Sequence, residues 1–229
     1  MTRKQTRFKS QPDDLRRSRL ATEATFDGIF EIPFIEAPHM SEPPAVAIPF
    51  SKRSRSEGQS ELLVFDEHES EFQELIENPD MFIDELRGYS AVFSPDLSLY
   101  RNAPLSAQIT NVYESRLTGS YLQRNGVNVV PFIRWGDERS FTTSELPEPF
   151  ALLGVREGSI VGIGPYGCVK SYADQDVFRA GLIAVIERIH PRMILSYGSY
   201  PERIFSGLES MTEFVFYEDW TSRMRGHNG

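Results

Sequence analysis

Residues 158–198, "GSIVGIGPYGCVKSYADQDVFRAGLIAVIERIHPRMILSYG", decide the fold class. "GSIVGIG" is an apolar run without a polar face, the pattern of a strand buried on both sides. After a short loop, "YADQDVFRAGLIAVIERI" places Val177, Phe178, Gly181, Leu182, Val185 and Ile189 on one side of an amphipathic helix. "PRMILSYG" is then a second uniformly apolar strand. Strand, helix and strand of this kind imply parallel pairing, because parallel neighbours need a long crossover and helices must cover the sheet faces.

The same alternation extends toward the N-terminus. "SAVFSPD" (90–96) reads as a short buried strand, and "APLSAQITNVYESRLTGSYLQRNG" (103–126) as a long helix with Pro104 in its first turn and Gly126 as its stop. "VNVVPFIRW" (127–135) is the next strand, and "FTTSELPEPFALLGV" (141–155) a proline-broken helical return. "YPERIFSGL" (200–208) reads as a last helix and "TEFVFYED" (212–219) as a final strand. Earlier, "AVAIPF" (45–50) reads as a strand, "SKRSRSEGQS" (51–60) as a flexible loop, and 70–89 as two short helices separated at Pro79. The predicted architecture is α/β, a mostly parallel sheet flanked by helices, either open and doubly wound or curled into a partial β/α barrel. Residues 25–229 form one domain in this reading, preceded by a basic, disordered arm over 1–24.

Composition narrows the function classes. The chain has 229 residues, a net charge of −9 and a single cysteine, Cys168, so an internal disulfide framework is excluded. Four scattered histidines supply no zinc-ligand spacing. Neither a signal segment nor a membrane-spanning run is evident, which points to a reducing cytoplasm. The acidic body argues against nucleic acid coating the whole surface. Within residues 1–20, however, Arg3, Lys4, Arg7, Lys9, Arg16, Arg17 and Arg19 face only Asp13 and Asp14, so this arm is a candidate phosphate-binding segment.

In parallel α/β folds, ligands bind beyond the carboxyl ends of the strands. The residues following each predicted strand are therefore the candidates. Asp96 and Asp137 are candidate catalytic carboxylates and candidate ligands for Mg²⁺. Arg101 and Arg139 suit an anion, since a guanidinium fork matches phosphate or carboxylate. Tyr100, Trp135, Tyr166 and Tyr197 could stack on or hydrogen-bond a nucleotide-like ligand, with Asn111 and Ser140 within reach. Asp137 and Ser140 could equally cap the helix that follows. No dinucleotide fingerprint, P-loop or serine-hydrolase elbow is present, and Cys168 has no evident histidine partner.

The stretches "SPDLSLYRNAP", "VVPFIRWGDERSF" and the strand ending "YG" resemble a family of domains of unknown function found in bacteria, phages and other mobile elements. The resemblance covers about residues 65–200. Members tend to carry phenylalanine where this chain has Leu97, and a small residue where it has Arg134, which is then a local specialisation or a residue of the opposite face. The resemblance implies an accessory protein of a phage, plasmid or integrated element, acting in the host cytoplasm near nucleic acid or host defence. Two functions follow: a small-anion site with or without metal-assisted chemistry, or a non-enzymatic protein that binds nucleic acid or protein through its arm.

Overall fold

The computed structural model describes residues 3–4, 17–56, 58 and 60–226. Near the N-terminus, β1 (Arg3–Lys4), β2 (Thr25–Asp27) and β3 (Ile32–Pro33) form a small antiparallel sheet. The short helix α1 (Ser18–Ala21) precedes β2 and buries Leu20 and Ala21 with Ala24, Phe26 and Leu117. The main body begins with four parallel strands, β4 (Val46–Pro49), β5 (Glu61–Val64), β6 (Ala91–Phe93) and β7 (Val129–Val130). A second parallel set follows, β8 (Ile160–Ile163), β9 (Met193–Tyr197) and β10 (Glu213–Tyr217).

Just past β7 the two sets join. Phe132 bridges Gly162 in parallel, with Ile133 N donating to Gly162 O at 2.8 Å and Gly162 N to Pro131 O at 2.9 Å. The seven strands thus lie side by side in chain order, and the array curls. Three strand spacings in a flat sheet come to roughly 14 Å. Yet Gly164, just after β8, lies so near Asp66, just after β5, that a Cβ on it would stand 2.8 Å from the carboxyl group. The last strand also returns toward the first: Tyr217 Oη donates to Pro44 O at 2.9 Å. Of the two sequence-compatible architectures, the structure is the partial barrel.

Helices cover the outside. Helix α2 (Gln73–Glu77) and α3 (Ile83–Leu86) link β5 to β6, α4 (Leu105–Arg124) links β6 to β7, and α5 (Glu138–Phe141) follows β7. Helix α6 (Tyr172–Ile189) connects β8 to β9, α7 (Glu202–Phe205) connects β9 to β10, and α8 (Trp220–Gly226) ends the described chain. Phe178, Leu182, Val185 and Ile189 of α6 pack on Val161, Ile163 and Ile194, each such burial contributing about 1.5–3 kcal/mol. A Cβ on Gly181 would meet the Trp135 indole at 2.2–2.5 Å. Gly181→Ala is therefore expected to lower stability by about 1–3 kcal/mol by overpacking, despite alanine's better helix propensity. Urea denaturation measures it, and a stabilised variant would contradict the packing.

Inside the barrel, Phe93 occupies the space left by Gly162, where a Cβ would lie 2.5 Å from the ring. Arg116 of α4 is fully buried and donates to the carbonyls of Phe132 (2.6 Å), Leu153 (3.2 Å) and Ala151 (3.3 Å). It thereby ties the irregular return after α5 to the end of β7, and burial pushes its pKa down to about 10.

Several elements differ from the sequence reading. Residues 50–55 form a 3-10 helix rather than a flexible loop, because Arg53 stacks on Phe50 at 4.1 Å and pairs with Glu85 at 3.3 Å. The strand expected over 127–135 is regular only at Val129–Val130; Pro131 interrupts it, having no N–H for the ladder. The return over 141–155 keeps a single 3-10 turn, Phe150–Leu152. Strand β5 and helix α8 had no counterpart in the sequence reading, nor did β1 and α1, which lie within the segment 1–24 read as a disordered arm; α1 is ordered because Leu20, Ala21 and Ala24 are buried against Phe26 and Leu117.

Candidate active site

Three chain segments leave the carboxyl ends of adjacent strands and converge. "ELLVFD" carries Asp66 two residues past β5, "AVFSPD" carries Asp96 three past β6, and Arg134 follows the broken strand β7. The turn at Asp96 is held from α4, where Ser115 Oγ donates to Pro95 O at 2.6 Å. Ser94 Oγ accepts from Phe132 N at 2.9 Å, locking that turn to the chain that carries Arg134.

Arg134 lies between the two acids. Its Nε and Nη2 grip both oxygens of Asp96 as a fork, and Nη2 also reaches Asp66 Oδ1 at 3.0 Å. Both acids are buried, Asp66 to 1% exposure, and the Arg134 side chain is 11% exposed. Two buried carboxylates and one guanidinium leave one negative charge uncompensated, and the inexpensive remedy is a proton. Burial pushes Asp66 up to about 8, with Arg134 opposing and Asp96 reinforcing the shift. Asp96 is raised as well, chiefly by burial, against the pull of Arg134. Burial works against the charge of Arg134, but Asp96 and then Cys168 and Asp66 hold its pKa above the usual range. The fork geometry puts the ionised form on Asp96 and leaves Asp66 as the acid. Its Oδ2 has no hydrogen-bond partner and lies between Gly164 and Gly198, where a Cβ would stand 2.8 Å and 3.9 Å away.

Two cavities open over this cluster. One, of about 490 Å³, has Asp96 and Arg134 in its lining, with Trp135, Phe178, Tyr100 and Tyr166 among its walls. The other, of about 560 Å³, has Asp66 in its lining and shares Glu67, His68 and Tyr166 with the first. Both sizes suit small-molecule ligands, and both lie at the strand ends where such barrels bind them.

A family model described as Domain of unknown function (DUF4417) matches residues 24–217. The chain belongs to that family. A Gene 1 protein of Mycobacterium phage L5 is 33% identical over 148 residues, 65% of this chain and 62% of that protein. The Gene 1 protein of Mycobacterium phage D29 is 32% identical over 148 residues, covering 65% and 52%. The chain thus spans less than two thirds of the length of these relatives. No solved structure matches.

Of the residues this DUF4417 chain offered at the sequence level, Asp96, Tyr100, Arg101, Trp135 and Tyr166 all line the first cavity. Trp135 is nonetheless largely core, 4.7 Å from the Phe178 ring. Tyr197 is buried beneath the second cavity, its hydroxyl accepting from Trp220 N at 2.9 Å. Asp137 stands apart from Asp96: it caps α5, accepting from Arg139 N at 3.1 Å, and ion-pairs with Arg139 at 2.9 Å. Although burial opposes it, these Arg139 contacts hold Asp137 below the usual carboxylate range. Arg139 also donates to Arg101 O at 2.7 Å, and Ser140 Oγ to Asp137 O at 2.6 Å. Asn111 braces the mouth by donating to Ser98 O at 2.8 Å.

Arg7, Lys9 and Arg16 of the basic arm lie outside the described residues, and Arg3 and Lys4 enter only as backbone of β1. Arg17 pairs with Glu114, and Arg19 with Asp80 at 2.7 Å. Among the described residues, no group of three or more acidic, histidine or cysteine side chains is placed to hold a metal, and no helix is long and apolar enough to cross a membrane. Cys168 Sγ accepts from Arg134 at 3.0 Å, and burial raises its pKa. A raised pKa disfavours the thiolate that a nucleophile needs.

Asp66 and Arg134 are the members of this cluster that the sequence reading did not offer as site residues. The signal for Asp66 was available: "ELLVFD" is an apolar run ending in an acid, the same grammar as "AVFSPD".

Proposed function

We propose that this protein is an accessory protein of a phage or other mobile element that binds a small, uncharged ring-bearing molecule in the barrel mouth. There the Asp66–Asp96 pair transfers a proton to or from it. The observation that carries this reading is the pair itself: two buried carboxyls gripped by one arginine, with Asp96 in the lining of the aromatic-walled cavity. A carboxyl whose pKa lies near neutrality serves as acid or base at little cost. Arg134 acts on Asp96, fixing which member of the pair is ionised.

Charge argues for an uncharged ring over an anion. Arg101 is paired with Asp174 at 2.9 Å, Arg139 with Asp137, and Arg134 with both acids. Glu67, Glu69, Asp96 and Asp174 outnumber Arg101 and Arg134 in the lining. Tyr100 and Tyr166, 67% and 60% exposed, offer rings for stacking. The likeness to phage proteins supports the accessory role.

A thermal-shift screen of nucleosides and methyl glycosides, each beside its phosphorylated form, tests the reading. An uncharged member is expected to raise the melting temperature, with affinity at least tenfold weaker in Asp96→Asn and unchanged in Asp137→Asn. Binding of phosphorylated members alone, lost in Arg101→Gln, would replace this reading with an anion site.

A further inference from the structure

We propose that the second cavity is a subsite for an organic ammonium group, with Asp66 at its floor and Glu67, Glu71 and Asp219 around it. The proposal rests on reading the barrel mouth as a ligand site, and extends the ligand by a positively charged end.

The first argument is an unused acceptor. Asp66 Oδ1 is engaged by Arg134, whereas Oδ2 is buried without a hydrogen-bond partner between Gly164 and Gly198, and Asp66 and Gly198 both line this cavity. A buried oxygen left unpaired costs on the order of 1–3 kcal/mol, which a ligand N–H would recover. The second argument is charge: even with Asp66 neutral, Glu67, Glu71 and Asp219 line the cavity against Lys52. The third is the wall. Tyr166 and Trp220 border the same space, and Trp220 already carries a cation on its ring, the Arg223 guanidinium at 4.8 Å. Tyr166, Glu67 and His68 border both cavities, so one elongated molecule can occupy both.

Ammonium binding also makes a proton signature. Asp66 faces Arg134 and Asp96 from the neighbouring strand ends and Tyr197 from β9, with Glu67 beside it and Asp219 across the cavity. An ammonium against its carboxyl favours the charged form, so binding near pH 7 should expel the proton that Asp66 otherwise holds.

The experiment is calorimetric titration of the full chain with putrescine and with 1,4-butanediol, its uncharged counterpart, in two buffers of different ionisation enthalpy. Putrescine is expected to bind with release of up to one proton, and butanediol not to bind. Asp66→Asn, which resembles the protonated acid in shape and charge, should weaken putrescine at least tenfold, and the exposed wall variant Glu71→Gln about twofold to threefold. Equal binding of the diol, undiminished binding to Asp66→Asn, or no heat with putrescine would overturn the subsite. Uncharged rings still binding the first cavity would confine that failure to the ammonium subsite, whereas loss of both would remove the mouth as a ligand site.

Discussion

Arg134→Leu is expected to cost on the order of 3–5 kcal/mol of folding stability at pH 8, because it removes one partner of a buried ion-pair cluster. The side chain that neutralises Asp96 and contacts Asp66 at 3.0 Å disappears, and leucine supplies no donor to either. Without the guanidinium, both folded-state pKa values rise further above their unfolded values. A raised carboxyl pKa contributes stability that is present at low pH and lost as pH rises through it. The loss should therefore be smaller at pH 5, where both acids can be neutral, than at pH 8. Urea denaturation at the two pH values measures this. A small loss, equal at both, would mean that the arginine does not neutralise the acids.

Asp66→Asn tests the other half of the cluster and should change the shape of the stability–pH curve. In the folded chain burial holds Asp66 at about 8, against an ordinary value of 3.8. Between those values the folded state carries a proton that the unfolded state has released. Stability from this group is thus complete below about pH 4 and declines toward pH 8, by at most about 1.4 kcal/mol per pH unit. Asparagine cannot ionise, so the variant lacks that slope. It should be close to wild type at about pH 4 and gain on it steadily as pH rises, by several kcal/mol near pH 8. Thermal and urea unfolding across this range give the two curves. Parallel curves would show that Asp66 is ionised throughout.

The parts of the fold legible in the sequence were those with long-range periodicity. Helix α6 shows its buried face in the spacing from Val177 to Ile189, and β8 and β9 show theirs as unbroken apolar runs. Strand β5 was hidden because its four residues begin with Glu61, a buried acid that reads as a loop residue. That omission removed Asp66 from the candidate site. The rule that ligands meet the strand ends did place Asp96, Tyr100, Arg101 and Tyr166 around one cavity. It could not separate Asp96 from Asp137, since both follow a strand and only the fold shows that Asp137 caps α5. Arg134 was legible as a residue and not as a role, because which face follows Pro131 depends on how the broken strand crosses to Gly162. The curl of the array was equally invisible, since it depends on contacts such as Gly164 against Asp66.

The most direct measurement is carboxyl ¹³C NMR of aspartate-labelled protein from pH 4 to pH 10, with Asp66→Asn and Asp96→Asn assigning the two buried resonances. One proton is expected to remain on the pair at neutral pH and to leave near pH 8, with the Asp66 resonance moving most. Two carboxyls fully ionised by pH 5 would contradict a shared proton, and with it the acid–base role given to the barrel mouth.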